Sequence, residues 1–402
     1  MRTHLALLAI AAPLFAQQPA RQTDADAYTR YELLAPGSAK FRIIYEITAT
    51  TPGATHYYNP IRMGSTASDE SVIDRATGKP LPFAEVGAAE ACLGGVRVGN
   101  DAQRYIRATL TRPVPANGGE QRVLILKTYM DTASYFMRGD TLVFTRGLGI
   151  KRNAVVLPAG YELVASSFPA QVLQEKDGRV GISFWNNTPG EAAVTMKAVP
   201  LKAPVPAAAA LPASLVNRLD ERARQDREIV YFLQQPETHA FDLYHDYTES
   251  RPGTSTYLNI VRAGSTVSNP SAQNLDTGEP LKHEVLKGDA ITQAKLDVAG
   301  VTPQTEVVVF RFAPVQPGTS IRLRMSETYI DQARYGVRGA GELVWDRAFG
   351  RPFNSVVLPA GWMLTNSSIP ATVSTRADGR VQLDFINGRP GDIAVLITAR
   401  RR

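Results

Sequence analysis

Five polar side chains, Asn59, Arg62, Tyr129, Asp131 and Arg138, recur 200 positions later as Asn259, Arg262, Tyr329, Asp331 and Arg338. These residue types favour recognition over bond making. A tyrosine offers a flat amphipathic face with a hydroxyl at its rim, and an arginine offers a rigid fork of donors, so both suit a sugar or a peptide. Asp131 could take a bidentate bond from Arg62 or Arg138. Tyr135/Tyr335, Arg146/Arg347 and Asn153/Asn354 recur as well. A structural reading competes with the ligand reading and outweighs it. A sandwich tyrosine often buries its ring and ties its hydroxyl to a nearby backbone, and Asp or Asn near a turn bonds its own backbone. Asn153 and Asn354 precede an apolar Val-Val-Leu-Pro run and read as strand-entry residues. The ten residues named first form the candidate ligand-binding set; no catalytic set is named.

Other chemistries lack their signatures. His56, His239, His245 and His283 do not fall at zinc-ligand spacing, and no H-E-x-x-H occurs, so neither a metal nor another cofactor is expected. No G-x-S-x-G elbow is present. Cys92, the single cysteine, lies among small residues and reads as a buried or partly buried inert thiol. Asp131 and Asp331, each following Thr-Tyr-x, are the only acids that the repeat singles out for a glycosidase pair. The net charge of +6 is spread without a dense basic stripe, which argues against nucleic acid as a partner.

The elements that must position these residues come in two copies. Pro52 to Ser68 and Pro252 to Ser268 share nine of 17 residues, Thr77-Gly78 matches Thr277-Gly278, and Asn153 to Gly160 matches Asn354 to Gly361. Missing such a repeat would misread the fold. Phe41, Ile43, Tyr45 and Ile47 alternate with Arg42, Ile44, Glu46 and Thr48, and Phe241 to Thr248 repeats the pattern. That period places one face on a core and the other in water. Asp177-Gly178 and Asp378-Gly379 mark hairpins, and Pro-Gly pairs mark further turns. The expected fold is all-β: a tandem duplication of an antiparallel β-sandwich of seven to nine strands per unit, with a small barrel as the alternative. It resembles immunoglobulin-like sandwiches at the level of architecture alone.

Arg2 and His4, the apolar run from Leu5 to Leu14 and the polar Gln17-Gln18 have the order of a secretory signal, with cleavage expected after Ala16. The run is too short to span a bilayer, no later segment is apolar enough to do so, and no cysteine follows it to carry a lipid. The expected organisation is a signal over 1–16, a flexible lead over 17–26, one repeat over 27–199, a Pro/Ala linker with a short helix over 200–226, and a second repeat over 227–402. A secreted or periplasmic binding or scaffold protein is the expected function, with a polysaccharide or an envelope protein as partner. Two linked units gain from effective concentration on a repetitive partner. The alternative is a hydrolase acting on glycans or peptides at a cleft between the units.

Overall fold

The computed structural model describes residues 20–202, 221–389 and 391–402, so the signal segment lies outside the described residues. In the first half, seven strands form a main sheet in the order Gln171–Gln174, Val180–Trp185, Arg152–Val156, Asp24–Leu33, Lys40–Ala49, Gln121–Met130, Thr66–Asp74. A four-stranded sheet (Tyr161–Ser166, Ala192–Pro200, Thr141–Leu148, Tyr135–Arg138) and a three-stranded sheet (His56–Ile61, Arg104–Thr109, Phe83–Gly87) complete it. The second half repeats this order from Thr372–Thr375 through Phe353–Val357, Glu228–Leu233 and Ala240–Glu249 to Ile321–Ile330 and Thr266–Asn274, with one extra edge strand at Glu279–Pro280.

The architecture is all-β and sandwich-like in two halves, as the alternation dictates. Phe41, Ile43, Tyr45 and Ile47 lie on the core face of Lys40–Ala49, each less than 9% exposed. Each half closes over its own apolar interior: Phe41 meets Phe144 edge-on at 5.7 Å, and Phe241 meets Trp345 edge-on at 4.8 Å. Several features differ from expectation. The halves carry 14 and 15 strands among the described residues, because several are short and together build the third sheet. Within each main sheet one pair is parallel, Asp24–Leu33 beside Arg152–Val156 and Glu228–Leu233 beside Phe353–Val357. Alternation fixes which face a strand buries but not which strand lies beside it. Strand Asp24–Leu33 begins within the segment expected to be a flexible lead. Of the expected linker helix, residues 203–220 lie outside the described residues, and 222–224 form a turn. Among the described residues no helix is long and apolar enough to cross a membrane.

The halves meet through matching positions. The Glu120 amide donates to Leu275 O (2.7 Å), and the Ser320 amide donates to Ala76 O (3.0 Å). Arg122 forks onto Asp276 at 2.7 and 2.8 Å, while its counterpart Arg322 reaches Asp226 at 2.7 Å and Asp26 at 3.1 Å. Gly78 and Gly278 both have left-handed φ values, +70° and +76°, and each presses on the other half. A Cβ on Gly78 would lie 2.9 Å from Gly318 O, and one on Gly278 would lie 2.2 Å from Asn117 Oδ1. The repeated Thr-Gly pair thus serves the joint, which is close to an isologous contact within one chain.

Candidate functional site

The central strand Gln121–Met130 breaks its own apolar row. Val123, Ile125, Lys127 and Tyr129 share one face, and Lys127 is only 4% exposed although its neighbours on that face are apolar or aromatic. Its ammonium donates to Asn59 Oδ1 and stands 5.0 Å from the centroid of the Tyr129 ring. Among the described residues no carboxylate lies within 4 Å of it. A buried charge without a counter-ion disfavours its own ionised form. Burial, reinforced by nearby Arg146, pushes the Lys127 amine down to about 7.

Lys127 lines a cleft of about 1140 Å³, bounded by the main sheet, by the three-stranded sheet at Tyr57, Tyr58, Asn59 and Tyr105, and by Arg146 to Leu148 of the four-stranded sheet. Seven tyrosines face it, six from the first half and Tyr244 from the second. Within it Tyr57 donates to Asp24 at 3.0 Å, and the Tyr57 and Tyr45 hydroxyls lie 3.3 Å apart. Burial raises the Asp24 carboxyl although the Tyr57 hydrogen bond opposes it. The Tyr129 hydroxyl accepts the Arg62 amide proton at 3.1 Å, and the Arg62 guanidinium donates to Gly147 O at 3.1 Å. The other end of the cleft belongs to both halves: Lys151 and Glu120 stand with Glu228, Asp246, Arg322 and Arg324. Burial pushes both Glu120 and Glu228 up to about 7; Arg322 opposes the shift at Glu120, and Asp246 adds to it at Glu228.

Of the ten candidate residues, Asn59, Arg62 and Tyr129 share this cleft. Asp131 is not on its wall and is bonded to neither Arg62 nor Arg138. It accepts from the Ser134 hydroxyl (2.7 Å), the Ser134 and Ala133 amides, Ser65, and the buried Arg146 (2.8 Å). Burial would raise its carboxyl, but Ser134 and then Arg146 outweigh that and hold it below the usual range. Arg146 takes the acid because its strand turns it inward, whereas Arg138 ends the Tyr135–Arg138 strand in solvent. Asp331 is fully buried and paired with Arg347 (2.9 Å) and Arg334 (3.2 Å). Asn259 donates to Glu327 and to the Tyr329 hydroxyl, Arg262 is half-buried, and Arg338 is exposed and donates to Gln332 O. Asp131 and Asp331 are therefore locked inside separate halves and form no acid pair.

The structural readings fare better. Tyr135 donates its hydroxyl to Leu34 O and Tyr335 donates to Gln234 O, while the Asn153 and Asn354 amides donate to the carbonyls of Ile150 and Arg351. Cys92 corrects its expectation: on the short helix Ala88–Leu93 it is Ala91 that turns inward, and the next residue faces solvent. Among the described residues no group of three or more His, Cys, Asp or Glu side chains could hold a metal ion. Lys127 escaped the sequence reading because Val123 to Leu126 are all apolar and conceal the period. A signal was available, since Lys127-Thr128-Tyr129 stands opposite Glu327-Thr328-Tyr329, an inversion of charge two residues before a matched tyrosine.

No protein-family model matches the chain, and no curated protein matches it. Among solved structures it is similar to the M1 zinc metallopeptidase from Deinococcus radiodurans, at 12% identity over 49% of this chain and 51% of that one, with a TM-score of 0.30. An aminopeptidase N family protein from Idiomarina loihiensis is 11% identical over 42% of this chain and 29% of that one, with a TM-score of 0.28. A candidate nutrient binding protein from Legionella pneumophila is 9% identical over 45% and 68%, with a TM-score of 0.24. The chain spans about half the length of the Deinococcus structure. These are likenesses of part of the chain.

Proposed function

We propose that the chain is an exported, non-catalytic binding protein whose first half holds a carboxylate-bearing sugar in the Lys127 cleft. One observation carries this reading: a lysine on the core face of a central strand, hydrogen-bonded to an amide and lacking an acid partner, in a cleft large enough for a ligand. Ligand sites commonly measure roughly 300–1,000 Å³ and combine apolar walls with a few placed polar groups. Tyrosine rings with Asn59, Gln22 and Gln103 suit a polyhydroxylated body, and Lys127 with Arg62 suits its acid. The basic-apolar-polar start of the sequence supports export.

Titration calorimetry with galacturonate, against galactose as the neutral control, tests the reading. Galacturonate should bind the full chain and galactose at least tenfold more weakly, and Lys127→Met should remove that preference. Methionine in a buried apolar row should not unfold the protein, because it removes an uncompensated charge. The carboxylate needs the ammonium form, so affinity should be greatest below the Lys127 midpoint of about 7 and fall by up to tenfold per pH unit above it. Absence of saturable binding, or equal affinity for both sugars, overturns the reading.

One pair favours glycan hydrolysis as the second reading. Glu228 and Asp246 stand opposite each other on neighbouring strands, which sets their Cβ atoms about 4.5–5.5 Å apart. Asp246 receives both arms of the Arg324 fork at 2.7 Å, while Glu228 is pushed up to about 7 by burial and by that same Asp246. A protonated acid beside a carboxylate is the division of labour that glycoside hydrolysis needs. Release of reducing ends from oligogalacturonate, abolished in Glu228→Gln, is the expected result; unchanged oligomer after prolonged incubation removes this reading.

A further inference from the structure

We infer that the occupant of the cleft is an oligomer of acidic sugars, running from Lys127 past Lys151 into an adjoining cavity between the halves. This rests on the acidic-sugar reading above. The adjoining cavity, of about 470 Å³, shares Gly149, Lys151 and Glu191 with the main cleft, so the two are neighbours along one wall. Its further walls offer Asn187, Thr188 and Thr372, which are amide and hydroxyl groups suited to sugar hydroxyls. The main cleft alone already exceeds the usual size of a site for one small molecule.

Lys151 marks the junction. It is exposed, its ammonium stands 3.1 Å from the centroid of the Phe353 ring, and among the described residues no carboxylate lies within 4 Å of it. An ammonium over an aromatic face retains donors for an incoming anion. The neighbouring acids limit what can lie there. Glu191 is on the shared wall, Asp384 is on the wall of the adjoining cavity, and Glu228, Asp384 and Asp26 are near enough to affect the Lys151 charge. A fitting chain therefore presents carboxylates at Lys127 and Lys151 and hydroxyls at Glu191 and Asp384. Two anionic groups on one chain gain the advantage of linked binding without any new kind of contact.

Calorimetry of the full chain with galacturonate and its oligomers of increasing length separates the outcomes. Affinity should rise at least tenfold from the monomer to oligomers of three or four units and then level off. In Lys151→Met, and in Lys151→Gln as a polar control, the ratio of oligomer to monomer affinity should fall towards one. Equal affinity for every length, or a length gain untouched by both variants, overturns the inference while monomer binding upholds the acidic-sugar reading. If no length binds, that reading falls and takes the oligomer with it.

Discussion

The two halves present the same scaffold with opposite charge at one buried position. In the first half Asn59 turns its amide oxygen to Lys127; in the second Asn259 turns its amide nitrogen to Glu327. Asn can accept or donate, so a single residue type serves either partner. Around both positions the supports are matched: Tyr129 and Tyr329 two residues on, then Asp131 with Arg146 and Asp331 with Arg347. One Glu327 oxygen is buried without a partner, and burial pushes its carboxyl up to about 7 despite the bonds from Asn259 and Tyr329. The comparison separates residues that the scaffold requires, which are alike, from the residue that a function can change, which is inverted.

The largest effect should come from the matched residues. Asp331→Ala strands Arg347, and Asp131→Ala strands Arg146. Removing one partner of a buried pair costs about 3–5 kcal/mol, so both variants should show clearly lowered urea midpoints. Asp331, with two arginines and no exposure, should lose more than Asp131, which is 8% exposed. A harmless Asp131→Ala would break the equivalence of the halves.

The inverted residues should give opposite pH arms of stability, on the order of 3–5 kcal/mol over their full windows. Lys127 has its folded midpoint lowered from 10.5 to about 7, so the unfolded chain binds more protons between those values and stability should rise with pH across that window. Glu327 has its midpoint raised from 4.5 to about 7, so the folded chain binds more protons there and stability should fall as pH rises from 4.5 to 7. Urea titrations at stepped pH should show Lys127→Met flattening the alkaline arm and Glu327→Gln flattening part of the acid arm. Arms of the same sign would contradict the inversion.

The smallest effect concerns the joint. Alanine at Gly78 or Gly278 must adopt a left-handed conformation, which costs roughly 1–2 kcal/mol. Gly78→Ala should lose more, because it meets the backbone oxygen of Gly318, whereas Gly278→Ala meets the Asn117 side chain, which can rotate. Thermal midpoints of the two variants measure the difference; the reverse order would show the joint to be less symmetric than its contacts imply.

Much of the architecture was legible because period-2 alternation reports burial directly. Phe41 to Ile47 and Phe241 to Tyr247 announced the strands, and Asp177-Gly178 and Asp378-Gly379 announced hairpins that the structure contains. The parallel pairs were not legible, because strand neighbours are set by connections rather than by faces. The site was legible only in part. Matching between the halves pointed to Asn59, Arg62 and Tyr129 but equally to Asp131, since a scaffold preserves its own ion pairs, and to the exposed Arg138. Matching by identity also passes over a position whose charge has been inverted, and Lys127 is that position.

The wall that holds Lys151, Glu228, Tyr244 and Arg324 is assembled from both halves. Filling the cleft and holding the halves in register are therefore coupled equilibria. Any occupant that needs this wall stabilises the joint by RT ln(1 + [L]/Kd), and any change that loosens the joint lowers affinity by the reciprocal factor. The angle between the halves becomes a reporter of occupancy.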